Sequence, residues 1–206
     1  DLLSVGGDWY DAYRIDADHI GLSIGDIAGH GLPQAAVMAQ VTAALRSIVL
    51  RSGTHPADVL DELNTFLGLY HPNQMATACY LVFNHHTRTL TYATAGHPPP
   101  LLVHSDGSST YLDHATVPPL GPINGVRYLQ ADITLAEEDT LLLYTDGLIE
   151  RRREEITLGL KRLTALARTT TGLGIAELCD RFLHHQPDAA STDDRALLAV
   201  RFPAPA

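Results

Sequence analysis

Cysteine is scarce in this sequence, and long apolar runs are missing from it. The 206 residues include two cysteines, Cys79 and Cys179, and neither belongs to a C-x-x-C pair. A disulfide framework needs more cysteines than that, so a reduced, cytoplasmic setting is the simplest expectation. No run approaches the roughly 20 consecutive apolar residues of a membrane-spanning helix. These absences exclude a disulfide-stapled scaffold, and we expect no direct contact with a membrane.

Basic residues are also few. Lys and Arg together number 14 against 24 Asp and Glu, so the formal net charge is −10. Proteins that grip nucleic acid without sequence preference, and proteins that dock on anionic lipid, need a basic surface. The charge balance therefore argues against both partners. Because carboxylates are plentiful, any one acidic motif is weak evidence taken alone.

Several signatures of phosphate and metal chemistry are missing as well. The glycine-rich stretch GDIAGHG, residues 25–31, has neither the lysine of a P-loop nor the spacing of a dinucleotide-binding G-x-G-x-x-G motif. The eleven histidines show no H-E-x-x-H pattern of a zinc site. No Ser-His-Asp triad can be argued from spacing alone. The sequence chemistry that remains is that of carboxylates.

What is present reads as one globular domain. Apolar residues make up 45% of the chain, and its length allows a sizeable core. Neither an internal repeat nor a linker interrupts the chain, so we predict a single domain over residues 1–206. Because the sequence opens abruptly, almost on a motif, this domain is expected to be a fragment of a longer regulatory protein.

The periodicity of the apolar residues predicts the order of the elements. Alternation predicts strands at residues 10–15 and 19–27. The helix predicted at 34–50 is apolar almost all round, which indicates burial on several sides, and Pro56 opens a second helix. Further strands are predicted at 78–84, 89–95, 100–104, 110–113, 128–135, 140–144 and 196–202, with helices at 156–168 and 175–184. Strands grouped apart from paired helices predict an α+β fold, an antiparallel β-sandwich with helices packed outside.

Acidic residues stand at the ends of several predicted strands. Asp26 follows an apolar run, Asp146 follows a very apolar run, and Asp193 and Asp194 precede the final strand. A further pair, Asp8 and Asp11, lies at the start of the first strand. Each position by itself is explained by turn or capping chemistry.

Taken together, these acidic strand ends indicate a cation site. Several carboxylates gathered at one end of a sheet repel one another unless a cation neutralises them. Ligation by oxygen alone suits hard ions such as Mg²⁺, Mn²⁺ or Ca²⁺. Two such ions about 3.5–4 Å apart polarise a water and clamp a phosphoryl group. A two-metal phosphoesterase is therefore one functional hypothesis from the residues themselves.

Six short motifs in order give the chain a family resemblance. They are GGDWYD (6–11), GDIAGHG (25–31), AGHPPPLL (95–102), PLG (119–121), YTDGLIERR (144–152) and DDRALLAVR (193–201). Together they resemble the metal-dependent serine/threonine phosphatases of the protein phosphatase 2C superfamily. The branch they resemble most is the bacterial one of the stage II sporulation protein E domain and the sigma-B regulator U phosphatases.

The resemblance implies both a fold and a metal centre. The implied fold is an α-β-β-α arrangement, in which an antiparallel sandwich is flanked by helix pairs. The implied cofactors are two Mg²⁺ or Mn²⁺ ions. By position in the motifs, Asp26 would bridge both ions and the backbone carbonyl of Ile27 would ligate one of them. Asp146 and Asp193 would bind the second ion.

The resemblance also implies roles for other acidic residues and a reaction. Asp11 is the first candidate for holding metal-bound waters and Asp8 the second. Asp194 would be a further ligand or a supporting group. The reaction would be direct hydrolysis of phosphoserine or phosphothreonine by a metal-activated water. The general acid stays open: His30 is the nearest candidate, although a loop histidine held by backbone contacts is the simpler interpretation. His97 is interpreted as part of a rigid turn.

The resemblance implies a partner, and it leaves alternatives open. The implied substrate is a phosphorylated anti-sigma-factor antagonist. The competing hypothesis is a phosphatase-like module that binds partners in signalling but is catalytically weak or inactive. A third is another two-metal phosphoesterase. Relatives carry a strand before GGDWYD where this chain has residues 1–5, and an open sheet edge there would permit a homodimer.

Overall fold

The computed structural model describes residues 6–121, 123, 125–151, 153–184 and 194–204. The chain divides into two compact units, which are described separately below. The first comprises residues 1–97 and 114–134, and the second comprises residues 98–113 and 135–206. Residues 1–5, which stand where the resemblance implies a preceding strand, lie outside the described residues, and so does Asp193. The single-domain assignment of residues 1–206 stays a prediction.

The described residues form four α-helices and ten strands. The helices are α1 Leu32–Ser52, α2 Pro56–Tyr70, α3 Ile156–Ala167 and α4 Ile175–His184. The strands are β1 Trp9–Arg14, β2 His19–Ile27, β3 Ala76–Asn84, β4 Thr89–Ala95, β5 Leu101–Val103, β6 Ser109–Tyr111, β7 Thr116–Val117, β8 Ala131–Thr134, β9 Thr140–Tyr144 and β10 Leu197–Arg201. The predicted order of elements is confirmed. Strand β7 was not predicted, because two residues are too short to show a period.

The sheet of the first unit is an antiparallel meander extended at one edge. Its order is β1-β2-β3-β4-β7, and β8 also pairs with β4. Among the strand pairings of the described residues, the short one between β4 and β7 is the parallel one. The turn between β1 and β2 is closed by Asp16, whose Oδ1 accepts hydrogen bonds from the backbone N–H groups of Asp18 and His19, both at 2.8 Å. This Asx turn brings Trp9 opposite Gly25 and so sets the register at the other end of the hairpin.

Helices α1 and α2 cover one face of this sheet. Pro33 and Pro56 occupy the first turns of the two helices, where the missing N–H costs no hydrogen bond. The core between helices and sheet includes the following side chains: Trp9, Ile27, Val41, Leu45, Val59, Leu60, Leu63, Leu67, Tyr80 and Val82. Alternate residues of β3 enter this core, as the two-residue period of a strand requires.

The prediction that α1 would be buried on several sides is wrong. Its buried residues form a single stripe: Val37, Val41, Leu45, Ile48 and Val49. Leu32 and Leu50 are among the most exposed large apolar side chains described. Much of the remaining surface of α1 is alanine, which is apolar but small, so its exposure costs little. Because alanine counts as apolar, the exposed alanines made the sequence of a one-sided helix look like that of a helix buried on several sides.

The second unit contains the other sheet and the other helix pair. Its order is β6-β5-β9-β10, and every pairing is antiparallel. All five residues of β9 are buried, which matches its uninterrupted apolar sequence. Helices α3 and α4 pack on this sheet through a core that includes Leu142, Tyr144, Leu163, Leu178 and Phe182. Among the helices described, none combines the length and apolar character needed to cross a membrane.

Candidate active site

The first unit places two acidic residues on one face of its sheet. Asp26 is the penultimate residue of β2, and the neighbouring Ile27 points into the helix-covered core. Trp9 points into the same core from β1. Because side chains alternate along a strand, Asp26 belongs to the opposite face, away from the helices. Asp8 directly precedes β1, where the hydrogen bond from Ile27 to Gly7 continues the pairing, so the same alternation assigns it to that face. Asp8 and Asp26 therefore share one face at one end of the sheet.

Gly7 allows the first segment to lie directly against the end of β2. Its carbonyl oxygen accepts a hydrogen bond from the backbone N–H of Ile27 at 3.2 Å. A Cβ atom at Gly7 would clash with the carbonyl oxygen of Ile27 and would lie 2.8 Å from Oδ1 of Asp26. A side chain at position 7 would therefore press against both of these oxygens, so only glycine fits there. This explains the second glycine of the GGD motif.

The glycine-rich stretch after Asp26 turns the chain from β2 into α1. Gly29 and Gly31 have φ angles of 104° and 102°, a region that residues with a Cβ rarely adopt. The backbone N–H of Ala28 donates to the carbonyl of Met75 at 2.9 Å, which ties the start of the turn to the sheet. His30 is exposed at the top of the turn. Asp26 and Ile27 therefore stand at the end of the sheet, directly before this turn.

Asp11 lies on the other face of the sheet. It stands opposite Ser23 and shares the helix-facing side with Trp9 and Tyr13. Its Oδ2 accepts a hydrogen bond at 2.8 Å from Nε of Arg46, which belongs to α1. That hydrogen bond, with the charge of Asp11, raises the pKa of Arg46. Asp11 thus faces α1, and the order expected from the sequence, in which Asp11 came ahead of Asp8, stays a prediction.

A contact between Thr77 and His97 lies beside Asp26, and the sequence did not predict it. Thr77 is the direct cross-strand neighbour of Asp26 and lies on the same face. Its Oγ1 is 2.8 Å from Nδ1 of His97, a side chain that is only 4% exposed. The AGHPPP motif was the available signal for His97. Its interpretation as part of a rigid turn is compatible with this buried contact, which additionally fixes the imidazole beside the strand that carries Asp26.

The second unit brings Asp146 and the chain at Asp194 together. Asp146 begins a 3₁₀ turn that directly follows β9, and Asp194 lies shortly before β10. A Cβ on Gly147 would clash with the carbonyl oxygen of Asp194, so the two segments are in direct contact. Thr145 fastens them further: its Oγ1 accepts from the N–H of Ala196 at 2.9 Å, and its own N–H donates to the Ala196 carbonyl at 3.1 Å.

The donor chemistry within each unit fits hard divalent cations. The first unit offers the carboxylates of Asp8 and Asp26 and the carbonyl of Ile27, all oxygen donors. The second offers the carboxylates of Asp146 and Asp194. Mg²⁺ and Mn²⁺ take such oxygen ligands, with water completing their shell. The hydrogen-sized space at Gly7 leaves the Asp26 and Ile27 oxygens unobstructed by a side chain on that segment.

The sequence of this chain matches a known protein family. The sequence profile of stage II sporulation protein E (SpoIIE) matches residues 16–203. The chain belongs to the SpoIIE family. The SpoIIE profile match extends over both units and includes Asp26, Asp146 and the DDRALLAVR motif.

Two curated relatives of this SpoIIE-family chain are named phosphatases. The phosphoserine phosphatase RsbP of Bacillus subtilis is 33% identical over 154 residues, which cover 71% of this chain and 37% of RsbP. The phosphoserine phosphatase RsbU of the same organism is 30% identical over 151 residues, covering 73% of this chain and 44% of RsbU. The aligned region is thus less than half of each of these two relatives.

Solved structures show the fold of the SpoIIE-family chain. The RsbU and RsbW domains of Rv1364c from Mycobacterium tuberculosis match all of this chain and 59% of theirs, with a TM-score of 0.88 and 33% identity. The SiaA-PP2C domain of Pseudomonas aeruginosa matches 96% of this chain and 81% of its own, with a TM-score of 0.83 and 23% identity. The α+β fold predicted from the sequence, that of the protein phosphatase 2C domains, is confirmed.

Proposed function

We propose that this chain is a metal-dependent protein phosphatase that hydrolyses phosphoserine or phosphothreonine. The observation that carries the proposal is the pair of acidic strand ends, each built by tight glycine packing, in a chain of the SpoIIE family. Its relatives RsbP and RsbU are named phosphoserine phosphatases. The two-ion stoichiometry and the identity of the substrate are part of the proposal.

The ligands proposed for the metals follow the sequence motifs. Asp26 and the carbonyl of Ile27 would hold metal from the first unit, and Asp146 and Asp193 from the second. The magnesium complex of the structural neighbour RsbX supports the choice of ion. When bound, two Mg²⁺ or Mn²⁺ ions would supply an activated water and neutralise charge on the phosphoryl oxygens. Their carboxylate ligands would otherwise repel one another.

Other residues would orient the water and the substrate. Asp8 is proposed to accept a proton of the attacking water, because it shares the sheet face of Asp26. Asp194 would support its neighbour Asp193 from the segment that packs on Gly147. Asp11 would act at a distance, through Arg46 and α1, rather than on the water. His97 would keep Thr77, and with it the strand beside Asp26, in position.

The substrate is proposed to be a phosphorylated protein, and an anti-sigma-factor antagonist is the specific expectation. The sequence similarity of this chain to RsbU and RsbP supports this proposal. A cytoplasmic location would suit such a partner, and both cysteines are free thiols. Pairing of two copies through the edge strand β1 remains a prediction.

The test is a phosphatase assay with and without Mn²⁺, on p-nitrophenyl phosphate and on a phosphoserine protein. Asp26→Ala and Asp146→Asn should each lower kcat by at least about 100-fold, since each would remove a group that stabilises the transition state. Asp132→Asn, an exposed carboxylate on β8, is the matched control and should retain full activity. Metal-dependent turnover that survives in Asp26→Ala would overturn the assignment.

The competing proposal of an inactive binding module makes a different prediction in the same assay. The parent protein would then show no metal-dependent turnover while still binding a phosphoprotein. Good activity on nucleotides together with failure on phosphoproteins would instead indicate another two-metal phosphoesterase. The three outcomes are separable in one set of measurements.

A further inference from the structure

Two turns meet at the end of the first sheet opposite to Asp26. The β1–β2 turn contains Asp18, and the β3–β4 turn contains His85 and His86. The register pairs His19 with Asn84, so these turns lie side by side. Asp26 is 26 − 19 = 7 residues farther along β2, or about 23 Å at roughly 3.3 Å per residue. The two turns are therefore well separated from the candidate active site.

Asp18, His85 and His86 converge where these turns meet. One ligand atom from each of the three side chains lies within 4.8 Å of the others. Nε2 of His86 is 3.1 Å from Oδ1 of Asp18. The two imidazole centroids are 4.1 Å apart. These are two nitrogen donors and one carboxylate gathered on one side of the sheet end.

The surroundings hold this group in place. The carbonyl oxygen of Asp18 accepts hydrogen bonds from the backbone N–H of His85 at 3.1 Å and from its Nδ1 at 3.0 Å. Oδ1 of Asn84 accepts from the backbone N–H groups of His86 and Thr87, both at 3.0 Å. Both turns are thus fixed by contacts other than the one between His86 and the Asp18 carboxylate.

These contacts leave metal-binding atoms available. A histidine that donates Nδ1–H to a carbonyl keeps the lone pair on Nε2, and this is the arrangement that outer partners impose on metal-binding histidines. His85 has that arrangement. In His86, Nε2 already faces Oδ1 of Asp18. A cation that replaced the proton between these two atoms would contact both of them.

We propose that Asp18, His85 and His86 bind a borderline divalent transition ion, with Zn²⁺ as the representative. Two imidazoles with one carboxylate suit Zn²⁺, Cu²⁺ or Ni²⁺, whereas Mg²⁺ prefers oxygen alone. A tetrahedral ion with bonds of about 2.0–2.2 Å holds its ligand atoms about 3.4 Å apart. The side chains of His86 and Asp18 are 67% and 48% exposed, so they can close the remaining gap by turning. Water would occupy the fourth position.

Such an ion would join two turns that are 85 − 18 = 67 residues apart in the chain. It would bind only the folded sheet, because the three side chains meet only there. Binding would therefore stabilise the first unit by an amount that grows with the logarithm of the free ion concentration once this exceeds the Kd. The site is chemically distinct from the oxygen-only centre proposed for hydrolysis, which favours Mg²⁺, so excess Mg²⁺ can occupy that centre while Zn²⁺ is titrated.

The test is isothermal titration of the full chain with ZnCl₂ in the presence of excess Mg²⁺, together with thermal unfolding. We expect one Zn²⁺ per chain at this site and a higher Tm when Zn²⁺ is added. His86→Ala and Asp18→Asn should weaken this binding by more than the 10–100-fold typical of losing an outer-shell partner, and should abolish the Tm increase. A Zn²⁺ titration of Asp26→Ala separates this site from the proposed catalytic centre and should be unchanged.

The matched control is His184→Ala, an exposed histidine at the end of α4 that should leave the titration unchanged. The proposal is overturned if His86→Ala and Asp18→Asn bind Zn²⁺ as the parent protein does. It is equally overturned if Zn²⁺ binding disappears in Asp26→Ala, because the ion would then occupy the other centre.

Discussion

At Gly25 the sheet has room for a hydrogen and nothing more. A Cβ there would clash with the ring of Trp9 on one side and with the carbonyl of Thr77 on the other. Trp9 is almost fully buried, and its ring occupies the space beside Gly25. Gly7 and Gly147 are constrained by backbone in the same way. The motif glycines thus act through packing as well as through their backbone freedom.

Gly25→Ala should therefore lower the free energy of unfolding by about 1–3 kcal/mol, the usual cost of overpacking. Gly68→Ala is the matched control, because nothing lies within 4 Å of a Cβ added at this position in α2. Alanine there should raise the free energy of unfolding by up to about 1 kcal/mol, since it favours a helix over glycine. Urea unfolding of both variants checks this. Equal effects of the same sign would contradict the packing argument.

Buried ionisable groups in the first unit make it sensitive to alkaline pH. Burial raises the pKa of the Cys79 thiol from 9.0 to about 12, against a smaller opposing effect of its hydrogen bond with Thr94. Burial likewise raises the pKa of Tyr13 from 10.0 to about 12. In the unfolded chain both groups lose their protons at lower pH than in the folded protein. Their contribution is complete below pH 9 and is lost as pH rises toward 12.

We expect the free energy of unfolding to fall above pH 9 with a slope of up to about 1.4 kcal/mol per pH unit per group. Cys79→Ala should remove the part of the slope that begins near pH 9. Tyr13→Phe should remove a share of the part that begins near pH 10, to which Tyr80 and Tyr128 also contribute because burial raises their pKa values as well. Urea unfolding measured from pH 7 to pH 11 tests this. The slope below pH 9 is the internal control. An unchanged alkaline slope in both variants would refute the assignment.

At the scale of elements, α1 is a one-sided helix whose exposed side mixes apolar and polar residues. Leu45 is 1% exposed and belongs to the core stripe, whereas Leu50 is 87% exposed on the same helix. The two leucines have the same propensity for helix, so only their burial distinguishes them. This pair separates the packing contribution of α1 from its intrinsic stability.

Leu45→Ala should cost about 2–5 kcal/mol in the free energy of unfolding, because it leaves a cavity between α1 and the sheet. Leu50→Ala should change it by less than about 0.5 kcal/mol, as for most surface substitutions. Chemical denaturation of the two variants compares them directly. A large loss for Leu50→Ala would show that the exposed side of α1 is covered in solution.

At the scale of the whole molecule, acidic charge is in excess, and the proposed ligands add to it locally. The formal net charge is −10. Carboxylates that gather at strand ends repel one another, so a bound divalent cation should stabilise the folded chain. General screening of a net charge of this size also favours the folded state, and it must be measured separately.

Mn²⁺ or Mg²⁺ should therefore raise the Tm of the parent protein, and a chelator should reverse the rise. Asp26→Ala should show no rise beyond that produced by NaCl at matched ionic strength. Differential scanning fluorimetry with a MnCl₂ titration measures both. An equal Tm increase in Asp26→Ala would indicate screening rather than a site at Asp26.

The sequence by itself determined the order and type of the main elements and the composition of the acidic motifs. Period-two alternation is a local property, and so are the turn residues at Asp16 and the glycines at positions 29 and 31. For this reason nearly every strand and helix was predicted to within a few residues. Asp8 and Asp11 are three residues apart, so the alternation of side chains along a strand is enough to put them on opposite faces of the sheet.

Only the tertiary structure decided which side of the sheet carries the helices, and therefore that Asp11 faces Arg46 while Asp8 shares the face of Asp26. It also decided that Asp18 meets His85 and His86. Contacts between residues this far apart in the chain depend on strand order and register, which a single sequence does not encode in any local pattern. The one-sided burial of α1 is of the same kind, because burial is a property of the neighbours that a helix packs against.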